Sequence, residues 1–233
     1  MPRYSIDRSE VLRYLGYGGQ AIDEQLSAKI DAGIQLCWKT ARPRYLQRIF
    51  PYTDQALLLS AEGERLYLPG KSIQQHLQAA TGCAVLCATL GMDVETRLRQ
   101  LQSKDMAAAL IFDAACDTLI ESVVDFCQTE LAEKIAQDGY QLGQRYSPGY
   151  GDLPLDIQAP LLAAVDATRR IGLTRTDSNL LLPRKSVTAL AGIYPLERAV
   201  EIKQAQSSCA DCQLYHTCAF RKGGKACAQR TKS

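Results

Sequence analysis

The segment Arg145-Tyr146-Ser147-Pro148-Gly149-Tyr150 carries the residue types best suited to gripping a small polar ligand. A guanidinium is a planar fork that can hold a carboxylate with two hydrogen bonds. Pro148-Gly149 is the expected central pair of a type II turn: proline sets φ at the first position and glycine takes positive φ at the second. Glycine there also lets a ligand approach the backbone closely. Tyr146 and Tyr150 flank the turn with flat apolar faces and hydroxyl tips. Such a set suits an amino-acid-bearing nucleotide, although turn chemistry alone is equally satisfied by a plain surface turn.

A second set of chemically capable residues lies near the end of the chain. Cys209, Cys212, Cys218 and Cys227 are spaced Cys-x2-Cys-x5-Cys-x8-Cys among glycines and basic residues that would make a poor core. Four thiolates around a metal would organise such a tail. Thiolates suit both zinc and iron–sulfur clusters, so a 4Fe–4S cluster and a zinc knuckle with His216 as a substitute ligand both remain open. The basic run Arg221, Lys222, Lys225, Arg230 and Lys232 could offset a cluster's negative charge or steer an acidic electron carrier. The other five cysteines, Cys37, Cys83, Cys87, Cys116 and Cys127, sit among apolar residues and read as small buried hydrophobes.

A third feature is a row of carboxylates, Asp113, Asp117, Glu121 and Asp125, recurring every four residues. On a helix, like charges at that spacing cost roughly 0.2–0.5 kcal/mol per pair, so they are either solvated or matched by cations. The row drifts by about 40° per step, so one ligand cannot face all four.

The elements that must position these groups follow from periodicity. Residues 6–14 form a short helix with Asp7 as N-cap, and residues 23–37 a longer one with Ile22, Leu26, Ile30 and Ile34 on one stripe. Residues 55–68 read as a hairpin turning at Glu62-Gly63. Ser72 with Gln75 is a capping-box signature for a helix through residue 79. Residues 82–90 are a short apolar run that suits a buried strand, and residues 93–101 form another helix. The longest helix spans 104–137, with Phe112, Cys116, Leu119, Val123, Cys127, Leu131 and Ile135 at three-four spacing, and should pack across a sheet. Residues 140–154 are turn-rich, 156–171 helical, 180–194 strand and loop, and 196–206 a last short helix. Strands and helices mix without regular alternation, so the fold class is α+β.

The chain has 233 residues, 46% hydrophobic and 22% charged, with a formal charge of +2. That suits one ordinary domain with a small appendix, here placed at 1–204 and 205–233. The near-neutral balance gives no reason to expect nucleic acid or an anionic membrane. No apolar stretch suits a signal peptide or a spanning helix, so the expected setting is a reducing cytoplasm, where cysteines serve as thiols or ligands. Only His76 and His216 are present, which leaves no basis for a Ser–His–Asp triad.

The 145–150 segment resembles the Arg-x-x-Pro-Gly-Tyr segment of the reactivation domain of cobalamin-dependent methionine synthase. Asp113-Ala-Ala-Cys-Asp117-Thr-Leu-Ile-Glu121 is similar to the helix that precedes it there. Leu182-Pro183-Arg184-Lys185-Ser186-Val187-Thr188-Ala189 resembles its Pro-x-x-Ser-Val-Ser segment. Residues 6–17 look like the start of stand-alone bacterial versions, and the resemblance spans roughly residues 1–200. It implies a bent antiparallel sheet with packed helices and a shallow cleft for S-adenosylmethionine. Arg145 would hold the ligand's carboxylate, Ser147, Gly149 and Tyr150 would give backbone and aromatic contacts, and Glu121 would reach the ligand by helical phase. The implied role, in methionine biosynthesis, is reductive methylation of a corrinoid: cob(II)alamin on a partner is reduced and remethylated. The chain has no Asp-x-His-x-x-Gly segment, so the cobalamin would belong to a methionine synthase-like methyltransferase. A flavodoxin or ferredoxin is the expected electron donor, and a 4Fe–4S cluster in the tail could relay the electron. Whether such an activator counts as an enzyme in its own right stays open. The competing expectation is a non-catalytic S-adenosylmethionine-binding or scaffold module with a structural zinc knuckle.

Overall fold

A computed structural model describes residues 3–198. The tail cysteines, His216 and the expected boundary at 204/205 lie outside the described residues.

Two helices come first: a short α1 (Arg8–Tyr14), capped by the Asp7 carboxylate on the Ser9 N–H, and a longer α2 (Glu24–Thr40), capped by Asp23 on the Leu26 N–H. The strands are β1 (Arg44–Thr53), β2 (Ala56–Leu58), β3 (Arg65–Tyr67), β4 (Gly82–Thr89), β5 (Tyr140–Tyr146), β6 (Thr174–Arg175), β7 (Leu181–Leu182) and β8 (Ser186–Pro195). Six of them form one antiparallel sheet in the order β3-β2-β1-β4-β8-β5, while β6 and β7 pair separately. The expected α+β class with a bent antiparallel sheet is what the chain adopts. β1 carries the bend, pairing with β4 through Pro51 and then with β2 at Tyr52 and Thr53.

β4 is buried along its whole length, because helices cover both faces of the sheet. Ala84 and Leu86 join Ala189, Ala191 and Ile193 of β8 beneath Cys127, Leu131 and Ile135 of α5 (Met106–Ala136). On the opposite face Cys83, Val85 and Cys87 pack with Leu190 against α6 (Gln158–Ala164), α7 (Ala167–Ile171) and α3 (Lys71–His76). The period of two along β4 and β8 thus sorts small and branched residues between two cores.

α5 lies between the sheet and an outer layer of α1, α2 and α4 (Met92–Gln102). Every member of the expected stripe is buried, but Ile111, Ala115, Ile120 and Val124 are buried too, so α5 is apolar on almost all sides. Gly33 of α2 lets that helix approach; a Cβ there would collide with the Ile111 side chain. The five described cysteines are free and buried, as small core residues. Burial pushes the Cys83, Cys87 and Cys127 thiols up to about 12.

Several elements depart from their expected form. β1 and β5 were not anticipated as strands. The 156–171 helix is broken: Asp166 takes a left-handed φ of 54°, separating α6 from α7. Ser72 does not cap α3. The N-cap is Gly70, and Asp152, eighty residues away, accepts from the Lys71 and Ser72 N–H groups at 2.7 and 2.9 Å. A capping box needs its serine outside the helix, and Ser72 is inside it.

Candidate functional site

The Pro148-Gly149 turn forms as the residue types require. The Tyr150 N–H donates to the Ser147 carbonyl at 3.1 Å, and Gly149 has φ +90°, which fits type II. The turn follows directly on the end of β5. Gly149 N–H donates to the Leu153 carbonyl and Leu153 N–H to the Tyr150 carbonyl, so the loop is knitted internally. Asp152 then ties it to the start of α3; the Ser72 N–H chiefly holds its carboxyl below the ordinary carboxylate range. Gly151 lets this loop close, since a Cβ there would meet the Tyr146 hydroxyl and Ser72. Pro148 is buried, Ser147 half-buried, and Gly149 and Tyr150 exposed, Tyr150 to 62%.

Tyr146 faces the α3 side of the sheet. Its ring lies 5.0 Å from that of His76 and 6.2 Å, edge-on, from that of Tyr150, and its hydroxyl donates to the Tyr150 carbonyl. His76 is kept below its ordinary pKa by burial, partly countered by the Gln144 carbonyl 2.8 Å from Nε2.

Arg145 faces the other way, toward α5, and a β-bulge is the reason. Leu142 pairs with Ile193 and Arg145 with Ala191, so three residues on β5 span two on β8. In a regular strand Leu142 and Arg145 would point to opposite faces. The extra residue puts both on the α5 face. Gly143 sits in the bulge, where a Cβ would stand 2.9 Å from Cε2 of Tyr194.

The bulge brings Arg145 to the acidic row. Its Nη1 donates to Asp125 at 2.7 Å and to Gln128 at 2.9 Å, and its Nη2 lies 3.5 Å from Glu121. The other half of the row meets a different cation: Lys185, at the start of β8, is 2.9 Å from Asp113 and 2.7 Å from Asp117. The row is therefore matched by cations, two carboxylates to each. Burial alone would lower Lys185, but the two carboxylates together hold its ammonium above the ordinary range. Burial raises Asp117 above the ordinary carboxylate range, Lys185 offsets this only in part, and Asp113 adds to it.

Of the residues read from the sequence, Arg145 and Glu121 are brought together, and Ser147, Gly149 and Tyr150 follow within one turn. The N–H groups of Gly149 and Tyr150 and the carbonyls of Ser147 and Tyr150 are engaged within the loop, so the turn presents the Gly149 carbonyl and the Tyr150 ring rather than backbone donors. Sequence reasoning missed Gln128, Gly143 and Asp152. A glycine three residues after Tyr140 in an edge strand is a bulge signal, but only once the strand is recognised. Among the described residues no group of three or more His, Cys, Asp or Glu side chains is placed to hold a metal, and no helix is long and apolar enough to cross a membrane.

No family model matches the chain. No curated protein matches it either. Among solved structures, it is similar to the crystal structure of the MetH reactivation domain bound to AdoHcy, with a TM-score of 0.60 and 15% identity over 82% of this chain and 74% of that one. At that identity the likeness is one of fold.

Proposed function

We propose that this chain binds S-adenosylmethionine between the Arg145–Glu121 pair and the Ser147–Tyr150 turn, and serves the reductive reactivation of a partner's corrinoid. The observation that carries the reading is the bulge-directed meeting of Arg145 and Glu121 beside an exposed type II turn. It occurs on a fold similar to that of the MetH reactivation domain, which was solved bound to AdoHcy.

The groups present fit such a ligand. Arg145 spends Nη1 on Asp125 and Gln128, which leaves its Nε–Nη2 edge to grip a carboxylate with two bonds. Glu121 stands where an ammonium or sulfonium would be attracted. The Gly149 carbonyl suits an amino donor of a base, and the Tyr150 ring offers a face for stacking. S-adenosylmethionine would supply a methyl cation equivalent: one electron takes cob(II)alamin to cob(I)alamin, which accepts the methyl group and leaves S-adenosylhomocysteine. The cobalamin belongs to a methionine synthase-like methyltransferase, and a flavodoxin or ferredoxin supplies the electron. This chain's residues bind and orient the ligand.

The thiolates of Cys209, Cys212, Cys218 and Cys227 are proposed to hold a 4Fe–4S cluster that relays the electron. Their spacing supports this, and zinc, having no redox chemistry, could not do it. The alternative, an S-adenosylmethionine-binding or scaffold module with a zinc knuckle, rests on the same spacing.

Titration calorimetry with S-adenosylmethionine tests the site. Arg145→Ala should weaken binding at least tenfold, as loss of a charge-assisted bidentate contact does by about 1.5–3 kcal/mol; equal affinity would overturn the assignment. Anaerobic purification with absorbance and electron paramagnetic resonance spectra tests the tail. A colourless protein with stoichiometric zinc would establish the alternative.

A further inference from the structure

Gln128 stands on α5 one turn beyond the acidic pair and makes two contacts with β5. Its Oε1 accepts from Nη1 of Arg145 at 2.9 Å, and its Nε2 donates to the Gly143 carbonyl at 3.4 Å. It thus touches both the bulge that turns Arg145 and the guanidinium that the bulge delivers. We propose that Gln128 is the positioning residue that fixes which edge of Arg145 faces a ligand, and that its neutrality sets the site's preference for a carboxylate-bearing one.

A guanidinium has two edges able to grip a carboxylate with paired bonds, Nη1–Nη2 and Nε–Nη2. Gln128 and Asp125 both land on Nη1, which closes the first edge. Nε has no hydrogen-bond partner among the described residues, and the Nη2 contact to Glu121 is at 3.5 Å, so the second edge stays usable. Charge matters as much as geometry. Arg145 already faces the carboxylates of Glu121 and Asp125. A third carboxylate in place of Gln128 would overcompensate the guanidinium and repel an incoming carboxylate. An amide accepts the Nη1 proton without adding charge, and its donor end holds the bulge. The acidic residues along this face make the amide at position 128 the exception.

This inference rests on the ligand reading above, and the experiment separates the two. Binding of S-adenosylmethionine and of decarboxylated S-adenosylmethionine, which differ only in the carboxylate, is measured for the wild type, Gln128→Leu and Gln128→Glu. Thermal melts confirm that each variant is folded. Both variants should bind S-adenosylmethionine about tenfold more weakly, the scale of one charge-assisted hydrogen bond, while affinity for the decarboxylated, doubly cationic ligand stays at the wild-type value in Gln128→Leu and does not fall in Gln128→Glu. Gln128→Glu should be the weaker of the two, since it keeps the acceptor but adds charge. An unchanged affinity for S-adenosylmethionine in Gln128→Leu would overturn the proposal, as would an equal loss for both ligands, which marks general damage. If the wild type binds neither ligand, the site reading fails and takes this inference with it. If Arg145→Ala loses S-adenosylmethionine while the Gln128 variants do not, the inference alone fails.

Discussion

α5 makes two cation–carboxylate clusters from one row of acids, and they differ in kind. In the N-terminal half of the helix Lys185 is 12% exposed and bonded at 2.9 and 2.7 Å to Asp113 and Asp117. One turn later Arg145 is 21% exposed, with one short bond to Asp125, itself 58% exposed, and a 3.5 Å contact to Glu121. The first is sealed at its cation: a compact, largely covered ammonium ties α5 to the start of β8, while Asp113 and Asp117 stay partly exposed. The second is open: a longer, planar group is held on one nitrogen and bordered by an exposed turn. The same residue spacing therefore yields a well-covered cation at the start of β8 and a more exposed one where a bulged edge strand ends.

The largest expected effect tests that division directly. Lys185→Met leaves two carboxylates facing each other without a cation and should cost about 2–3 kcal/mol, below the full figure for a buried pair because both acids keep some water. Arg145→Met should cost less than about 1 kcal/mol, as exposed pairs do. Urea unfolding measures both. Equal losses would show that the clusters are alike and erase the distinction.

Gly143→Ala should come next. The added Cβ meets the Tyr194 ring at 2.9 Å, and that ring is pinned because its hydroxyl donates to the His76 carbonyl at 2.8 Å. Overpacking of this kind costs about 1–3 kcal/mol. It should disturb Arg145 and leave the Lys185 cluster untouched, so the Gly143→Ala and Lys185→Met losses should add. A large coupling energy would mean that the bulge supports both clusters.

These two variants also show what the sequence could and could not reveal. β4 was legible because an unbroken apolar run can be buried on both faces, and α5 because its stripe is long. β1 was not, since Arg44, Gln47 and Arg48 leave little alternation and Pro43 and Pro51 punctuate it. β5 hid behind Gly139 and Gly143, which read as turn residues, and its bulge breaks the period of two. At the site, the type II turn follows from Pro148-Gly149 alone. A ligand-facing role for Glu121 is implied by family resemblance and helical phase, but its pairing with Arg145 depends on the bulge. Gln128 and Asp152 were invisible because their partners are set by the bulge and by a cap from a distant loop, neither of which leaves a local pattern.

Acidity gives a finer test of the sealed cluster. Asp117's carboxyl is raised in the folded state, so the fold binds its proton more tightly than the unfolded chain does. Stability relative to Asp117→Asn should therefore rise as pH falls from neutrality through the carboxylate range, above the ordinary 3.8. Lys185 is raised as well, so its contribution is complete below 10.5 and is lost as pH climbs through its higher folded value. Urea midpoints for Asp117→Asn and Lys185→Met against wild type across pH measure both. A gap that narrows on acidification for Asp117→Asn would show that Lys185, not burial, governs this carboxyl.

The smallest effect belongs to Asp125→Asn. Its 2.7 Å bond to Arg145 is the shortest in the open cluster, yet Asp125 is more than half exposed. Water and salt compete for such a carboxylate, so the loss should be about 0.5 kcal/mol or less in dilute buffer. With a screening length near 10 Å at about 0.1 M salt and shorter above it, that loss should fade as salt is added. The cost of Lys185→Met should fade less in the same series, because the ammonium it removes is only 12% exposed. A short bond is then no guide to its contribution; the deciding quantity is how much water the pair gives up. If Asp125→Asn instead costs as much as Lys185→Met and resists salt, Arg145 is clamped rather than poised, and the open edge argued for it would not be free to take a ligand.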